Sequence, residues 1–253
     1  MLKILTDASR LNPKPAAVIV DLDHTLYDYD KPHERAMQEV RSKMQRTLNI
    51  DEKRFNELFD QSKADVKKKL GNTASSHSRL QYFQRMLELI GMKSDVVASL
   101  DFEQTYWRMF LSNAKLFPDA KETMLLLRSL GIPLVLLTDL NTRIQFRKIV
   151  YFELESVFDY VVTSEEVGAD KPDARMFHTA MDKVGLAYDQ LVWMIGDHEK
   201  KDGVGCKEHL NALFFYRQAS SAASCSVADV QFDHYDKLAK LIEQQAAAWQ
   251  APK

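Results

Sequence analysis

Two carboxylates stand two residues apart at the end of a short apolar run. The run AVIV covers residues 17–20, and Asp21 and Asp23 follow it in the sequence DLDHT. A carboxylate at a strand tip can attack phosphorus in line and form an aspartyl-phosphate. A second carboxylate beside it can give a proton to the leaving oxygen and later take one from water. Asp21 and Asp23 therefore have the residue types and the spacing for two different roles in phosphoryl transfer.

Polar residues also follow the other apolar runs of the chain. Thr138 and Asp139 end one run, Lys171 follows the next in GADKPD, and Asp197 and Asp202 follow a further one in GDHEKKD. Ligands bind beyond the carboxyl ends of the strands in an open parallel sheet. Clustered carboxylates repel one another unless a cation neutralises them, and hard oxygen ligands favour Mg²⁺. A lysine and a threonine beside such a site would bind a phosphate group.

The elements that must position these residues alternate between strands and helices. Five short runs of nearly continuous hydrophobicity are typical of strands covered on both faces, namely residues 17–20, 133–139, 159–165, 191–197 and 212–217. Amphipathic segments, at 119–130 and 174–184 among others, lie between these runs. This alternation predicts an α/β fold with a doubly wound, mainly parallel, Rossmann-like sheet.

One long stretch interrupts the alternation. Residues 29–113 contain no convincing strand, and they show helical patterns near 32–48, 52–70, 77–90 and 95–112. We therefore predict an all-helical cap domain over 29–113, inserted into an α/β core domain formed by 1–28 and 114–253. The Ser/Ala-rich segment 218–229 is expected to be a loop, and the Ala-rich tail a frayed end.

The composition excludes several classes of partner. The net charge of −2 over 253 residues provides no basic field of the kind that nucleic acids or membrane surfaces require. No segment has the length and apolarity of a signal sequence or membrane span, so we expect a cytoplasmic protein. We expect a monomer or a homodimer. The two cysteines, Cys206 and Cys225, have no metal-ligand spacing and are expected to be buried or idle thiols.

Four motifs in order resemble those of the haloacid dehalogenase superfamily: DLDHT (21–25), LLTD (136–139), KPD (171–173) and GDHEKKD (196–202). The resemblance is to the phosphatases of that superfamily with a helical cap inserted after the first strand, and it extends from Val18 to about Tyr216. The segment 78–91 resembles the cap of the branch that holds nucleotidases and acylneuraminate-9-phosphatases.

The resemblance implies a role for each motif residue. Asp21 would be the nucleophile and a Mg²⁺ ligand, and Asp23 the general acid and base with its backbone carbonyl on the metal. Thr138 would hydrogen-bond the phosphoryl group, and Lys171 would neutralise it. Asp197 would complete the metal shell, and Asp202 would support that shell directly or through water. The second motif usually reads Thr-Asn, so Asp139 departs from the pattern, and we leave it out of the catalytic set.

These residues predict a magnesium-dependent phosphatase that hydrolyses a small phosphomonoester, a nucleotide or a sugar phosphate, through an aspartyl-phosphate. A phosphomutase would use the same residues and return the phosphoryl group to a sugar hydroxyl. A haloacid dehalogenase needs no metal, so Asp23, Asp197 and Asp202 argue against that activity. A non-catalytic phosphate-binding protein would have little use for the acid pair Asp21 and Asp23. In the cap, a set of arginines and aromatic residues either recognises substrate or packs as surface and core: Arg79, Tyr82, Arg85, Tyr106, Trp107 and Arg108.

Overall fold

The computed structural model describes residues 2–218 and 225–249. The chain divides into two compact units, one formed by Met1–Asp28 with Lys115–Lys253 and the other by Tyr29–Ala114. The first unit contains a sheet with helices, and the second unit is helical. We call them the core unit and the helical unit. No helix in the described part of the chain combines the length and the apolarity needed to cross a bilayer.

The core unit is built on one seven-stranded sheet with the order β1-β7-β6-β5-β2-β3-β4. Its strands are β1 Leu2–Ile4, β2 Ala17–Val20, β3 Leu134–Thr138, β4 Tyr160–Thr163, β5 Val192–Gly196, β6 Ala212–Arg217 and β7 Val230–Phe232. Within the described residues, every strand pairing is parallel except that of β1 with β7. All five predicted strands and the doubly wound, mainly parallel fold are confirmed.

Strand β2 lies inside the sheet, between β5 and β3, where the strand order reverses. It pairs with β3 on one side, with Val20 opposite Leu136, and with β5 on the other, with Val20 opposite Ile195. The four residues of β2 are fully buried, which explains their unbroken hydrophobicity. The residue that follows β2 is therefore at the topological switch point, where ligands of such sheets bind.

Five helices of the core unit lie between these strands in the chain, and α10 follows the last strand: α5 Ala120–Ser129, α6 Thr142–Tyr151, α7 Ser164–Val167, α8 Ala174–Val184, α9 Gly205–His209 and α10 Tyr235–Trp249. A π-helical turn covers Glu199–Val204, and a 3₁₀ turn covers Ala8–Leu11. The face of α8 that carries Met176, Phe177, Ala180 and Met181 is buried in the same apolar cluster as Ile19.

The helical unit contains four long helices: α1 Asp30–Leu48, α2 Glu52–Leu70, α3 Arg79–Leu89 and α4 Val96–Asn113. Aspartate or serine side chains cap three of them, since Asp51, Ser78 and Asp95 accept hydrogen bonds from backbone N–H groups in the first turns of α2, α3 and α4. The four predicted helical segments are present within two residues of their predicted ends.

Two further strands and the C-terminal helix differ from the sequence-based expectation. The hydrophobic pattern does not predict β1 and β7, because each has only three residues. The expectation of a frayed Ala-rich tail is wrong as far as Trp249, because α10 buries Ala246 and places the Trp249 ring 5.6 Å from that of Trp193. Residues 250–253, and 219–224 of the predicted loop, lie outside the described residues.

Candidate active site

Asp21, Lys171 and Asp202 form a buried ion-pair network at the end of β2. The Lys171 ammonium donates to Oδ1 of Asp21 and to Oδ1 of Asp202, both at 2.6 Å, and to the backbone carbonyl of Leu137 at 3.2 Å. Burial alone would lower the pKa of Lys171, but the carboxylates of Asp202 and Asp21 raise it well above its usual value. Lys171 is therefore a permanent cation between two carboxylates.

Thr25 connects the end of β2 to the end of β5. Its hydroxyl lies 3.0 Å from Oδ2 of Asp21 and 3.3 Å from Oδ1 of Asp197, and its side chain is fully buried. The structure therefore brings Asp21, Asp197 and Asp202 together, with one oxygen from each within 4.8 Å of the others. The threonine of DLDHT has a positioning role that its place in the motif did not specify.

The carboxylates of this cluster repel one another. Burial raises the pKa of Asp21 well above its usual value, and the charges of Asp202 and Asp197 add to this effect while Lys171 opposes it. Burial and then the charge of Asp202 raise the pKa of Asp197 to about 6. A divalent cation would relieve this repulsion, and carboxylate oxygens are the ligands that Mg²⁺ takes. The donor set of this site therefore fits magnesium.

Asp202 accepts hydrogen bonds on both carboxylate oxygens, as Asp21 does, and it is the most deeply buried of the three carboxylates. Oδ1 accepts from Lys171, and Oδ2 accepts the backbone N–H of His198 at 3.0 Å. A Cβ atom on Gly196 would lie only 2.5 Å from Oδ2 of Asp202. Glycine at the end of β5 is therefore what allows the Asp202 carboxylate to lie beneath the strand end.

Asp23 faces a second buried cation, which the sequence analysis missed. Lys148, on α6 and without solvent exposure, donates to the two carboxylate oxygens of Asp23 at 2.7 and 2.8 Å. The Tyr27 hydroxyl also hydrogen-bonds Oδ1 of Asp23. Burial opposes ionisation, but the charge and hydrogen bonds of Lys148 leave the pKa of Asp23 below its usual value. The structure therefore holds Asp23 as a carboxylate.

Gln145 connects Asp23 to Thr138. Its amide nitrogen donates to the Thr138 hydroxyl at 2.6 Å and to the Asp139 carbonyl at 2.7 Å, and it lies 3.5 Å from Oδ2 of Asp23. Gln145 and Lys148 occupy buried positions of α6 beside the apolar Ile144 and Ile149. Polar residues on the inward face of an amphipathic helix are the signal that could have identified them.

Asp139 supports the loop that carries Lys171. Its Oδ1 accepts the backbone N–H of Lys171 at 3.0 Å, and its Oδ2 pairs with the Lys201 ammonium at 2.6 Å. The neighbouring Leu140 has a φ of 95°, in the left-handed region, and its N–H is held by the Ser164 hydroxyl at 2.9 Å. The extra negative charge of the second motif is therefore turned away into an ion pair.

The comparisons with known proteins agree with this geometry. A family model described as haloacid dehalogenase-like hydrolase matches residues 15–209. The chain is 32% identical over 234 residues to a ribulose-1,5-bisphosphate 5-phosphatase of Halopiger xanaduensis, covering 90% of this chain and 98% of that one. It is 28% identical to a glyceraldehyde 3-phosphate phosphatase of Methanocaldococcus jannaschii, over 76% of this chain and 80% of that one.

A solved structure with a similar fold is the 2-haloacid dehalogenase of Pseudomonas syringae. Its TM-score is 0.73 at 16% identity, over 91% of this chain and 99% of that one. Identity at this level shows the fold alone, so the dehalogenase name does not bear on the chemistry. The family model and the sequence relatives, which are a hydrolase family and two phosphatases, do indicate the type of reaction. The chain therefore belongs to the haloacid dehalogenase-like hydrolase family and is a hydrolase of its phosphatase branch, as the four motifs predict.

Proposed function

We propose that this protein is a magnesium-dependent phosphatase that hydrolyses a small sugar phosphate through an aspartyl-phosphate on Asp21. The observation that carries the proposal is the convergence of Asp21, Lys171, Asp197 and Asp202 at one edge of the sheet, around the topological switch point. Asp21 directly follows β2 at the point where the strand order reverses, so its carboxylate is the one that an incoming phosphate group would meet at this edge.

Asp21, the Asp23 backbone carbonyl and Asp197 are the groups we expect to hold the magnesium ion. Asp202 is almost fully buried beneath the strand end, where Lys171 and the His198 N–H hold it, so we assign Asp202 to supporting the shell. A bound Mg²⁺ would offset the negative charge of the carboxylates and of the phosphoryl group. Lys171 would add a positive charge to the same side of the site, and the Thr138 hydroxyl would hydrogen-bond a phosphoryl oxygen.

In the first half-reaction, a carboxylate oxygen of Asp21 attacks phosphorus, and the bond from phosphorus to the ester oxygen breaks. The leaving oxygen takes a proton from the protonated form of Asp23 and departs as an alcohol, which leaves Asp23 ionised. In the second half-reaction, water attacks the phosphorus of the aspartyl-phosphate, and the carboxylate of Asp21 and inorganic phosphate are released. Asp23 would accept the proton of that water, for which it must be ionised.

Lys148 supports this second role of Asp23. The ion pair keeps Asp23 ionised and fixes its direction, which is the state that a general base requires. The same ion pair opposes protonation of Asp23, so donation to the leaving group is the more demanding of its two roles. A haloacid dehalogenase would require no protonated leaving group, because halide departs without a proton, and it would require no metal and hence no ligands such as Asp197.

A sugar phosphate is the substrate class that we infer from the relatives. Both relatives compared above are named for phosphorylated sugars of three or five carbons. The nucleotide alternative has no counterpart among those names. The two free thiols, Cys206 and Cys225, are buried, which fits the reducing cytoplasm that we expect for such an enzyme.

A screen of phosphorylated metabolites tests this proposal. Triose, pentose and hexose phosphates, sugar bisphosphates and nucleotides are each incubated with the protein and Mg²⁺, and released inorganic phosphate is measured. We expect release from one or more sugar phosphates, loss of activity in excess chelator and recovery with added Mg²⁺. Full activity in chelator would contradict the metal requirement. Transfer of phosphate between two sugar hydroxyls without its release would identify a phosphomutase.

A further inference from the structure

The helical unit contains a guanidinium group, that of Arg79, which has no acidic partner among the residues that the structure describes. Arg79, at the start of α3, donates to the Tyr29 hydroxyl at 2.6 Å and to the His77 carbonyl at 3.0 Å. Its guanidinium carbon lies 5.4 Å from the Tyr82 ring centroid and 5.3 Å from that of Tyr106. Its Nε is buried and has no hydrogen-bond partner. Every partner of this cation is neutral.

A second arginine of the same helix shows the usual arrangement. Arg85 donates from Nε to Asp65 at 2.8 Å and lies 3.4 Å from Glu88, so two carboxylates balance its charge. The Arg85 side chain also has 37% of its surface accessible to water, whereas Nε of Arg79 is buried. A charge withdrawn from water without a counter-ion is unfavourable, and neutral hydrogen bonds and ring faces compensate it only in part. Arg79 therefore has unused capacity for an anion.

A chain of hydrogen bonds extends from Arg79 to His33. The Tyr29 and Tyr106 hydroxyls lie 3.3 Å apart, and the Tyr106 hydroxyl lies 2.6 Å from Nδ1 of His33. Arginine only donates, so the Tyr29 oxygen accepts from Arg79. The tyrosine hydroxyls and the His33 ring can each donate or accept. The cluster therefore combines the N–H groups of Arg79 with hydroxyl and imidazole groups.

The electrostatic environment of His33 also indicates an excess of positive charge. Burial, then the charges of Arg79 and of Lys63, lower the pKa of His33 to about 4. No carboxylate acts on His33 in the opposite direction among the causes of this shift. Two cations and two aromatic hydroxyl groups therefore surround a neutral imidazole.

We propose that Tyr29, His33, Arg79 and Tyr106 form a phosphate-binding site within the helical unit. A phosphate group supplies the negative charge that Arg79 lacks, and its oxygens accept from N–H and O–H donors of the kind present here. Arginine is suited to this task because its planar N–H groups match two phosphate oxygens at once. The phosphate is either a second phosphate group of the sugar substrate or a free inorganic phosphate, and the two sources are separated below.

Calorimetric titration with inorganic phosphate, in chelator, tests the site directly. We expect the Arg79→Gln variant to bind one phosphate fewer than the wild type. Arg85→Gln is the matched control, because Arg85 already has acidic partners, and it should bind phosphate as the wild type does. Tyr29→Phe keeps the ring and removes one hydroxyl, so it should weaken phosphate binding about tenfold and remain folded. Equal stoichiometry and affinity in the wild type, Arg79→Gln and Tyr29→Phe would overturn the proposal.

Kinetics on a sugar monophosphate and its bisphosphate identify the source of the phosphate. If the substrate supplies it, Arg79→Gln raises KM for the bisphosphate tenfold or more, and leaves kcat and the monophosphate KM within about threefold. If Arg79→Gln loses phosphate binding in the titration but changes neither KM, the ligand is free phosphate. This kinetic arm rests on the proposed function. Absence of turnover on both sugars would contradict that function and leave the titration as the test of the site.

Discussion

Lys148 donates hydrogen bonds to the two carboxylate oxygens of Asp23, at 2.7 and 2.8 Å, from a side chain with no solvent exposure. This contact places a cation from helix α6 against the second acid of the DLDHT motif. It separates the two acids by environment, because Asp21 faces Lys171 and the carboxylate cluster while Asp23 faces Lys148 and Tyr27. The different tasks we assign to the two acids follow from this separation.

Replacing Lys148 with methionine should slow the second half-reaction. Without the ion pair only Tyr27 and Gln145 orient the Asp23 carboxylate, so we expect kcat to fall about 10- to 100-fold, which is part of the roughly hundred- to ten-thousand-fold effect of general base catalysis. Activated aryl phosphates and alkyl phosphates should then share one low kcat, because hydrolysis of the common aspartyl-phosphate limits both. Lys183→Met, which removes a partly exposed ion pair with Glu166, is the control and should be close to wild type. Unchanged kcat in Lys148→Met would contradict the positioning role.

The two bonds of Asp139 can be separated by two substitutions. Asp139→Asn keeps an oxygen for the Lys171 N–H and loses only the ion pair with the partly exposed Lys201, so activity should stay within about fivefold, because exposed pairs contribute little. Asp139→Ala leaves the Lys171 N–H without this acceptor and should lower the free energy of unfolding by about 1–3 kcal/mol. Urea unfolding and steady-state kinetics measure the two effects. Equal effects of both substitutions would show that the ion pair, and not the loop bond, is the important contact.

Gly196→Ala should disturb the site through Asp202. The new Cβ would lie 2.5 Å from Oδ2 of Asp202, and this fully buried carboxylate has no room to move away without losing Lys171 or the His198 N–H. We expect at least a hundredfold loss of kcat/KM. The new Cβ would also lie 2.7 Å from the Cβ of Asp202, so only an Asp202→Gly background removes the whole clash partner, and there adding Gly196→Ala should change stability by less than about 1 kcal/mol. Equal destabilisation by Gly196→Ala in both backgrounds would show that the alanine acts elsewhere.

The raised pKa of Asp197 predicts a pH-dependent stability in chelator. Burial and then Asp202 raise the pKa of this carboxyl to about 6. The folded protein therefore binds this proton more tightly than the unfolded chain does, and the free energy of unfolding falls as pH rises from about 4 through 6. Asp197→Asn does not titrate, so its stability relative to wild type should increase by about 1–3 kcal/mol across this window. Urea unfolding at several pH values measures the difference. A difference independent of pH would contradict this account, and Mg²⁺ should stabilise the wild type more at the high end.

The site residues that the sequence predicts are the polar residues at the ends of predicted strands. Asp21, Thr138, Lys171 and Asp197 each lie at or shortly after an apolar run, and parallel strands bring such positions to one edge. Lys148 does not have this signal, because it lies within a helix and reaches Asp23 over 125 positions of the chain. Its charge suggests a surface position, and only the packing of α6 turns it inward.

The same limit explains the elements that the hydrophobic pattern does not predict. Strand β1 has partly exposed residues and only three positions, so it has no apolar run, and its pairing with β7 depends on residues near the other end of the chain. The Ala-rich end of α10 has weak local hydrophobicity, and the contact of Trp249 with Trp193 stabilises it from outside the segment. Long-range packing, which a local pattern does not contain, decides these cases.

The central claim is that Asp21 carries the phosphoryl group between substrate and water. Rapid mixing of the Asp23→Asn variant with an activated aryl phosphate and Mg²⁺, followed by mass spectrometry of the intact and digested protein, tests it most directly. We expect a burst of one aryl alcohol per protein, a mass increase of one phosphoryl group (HPO₃) located on Asp21, and no burst or mass increase in Asp21→Asn. A burst with the phosphoryl group on another residue, or full turnover by Asp21→Asn, would contradict the account.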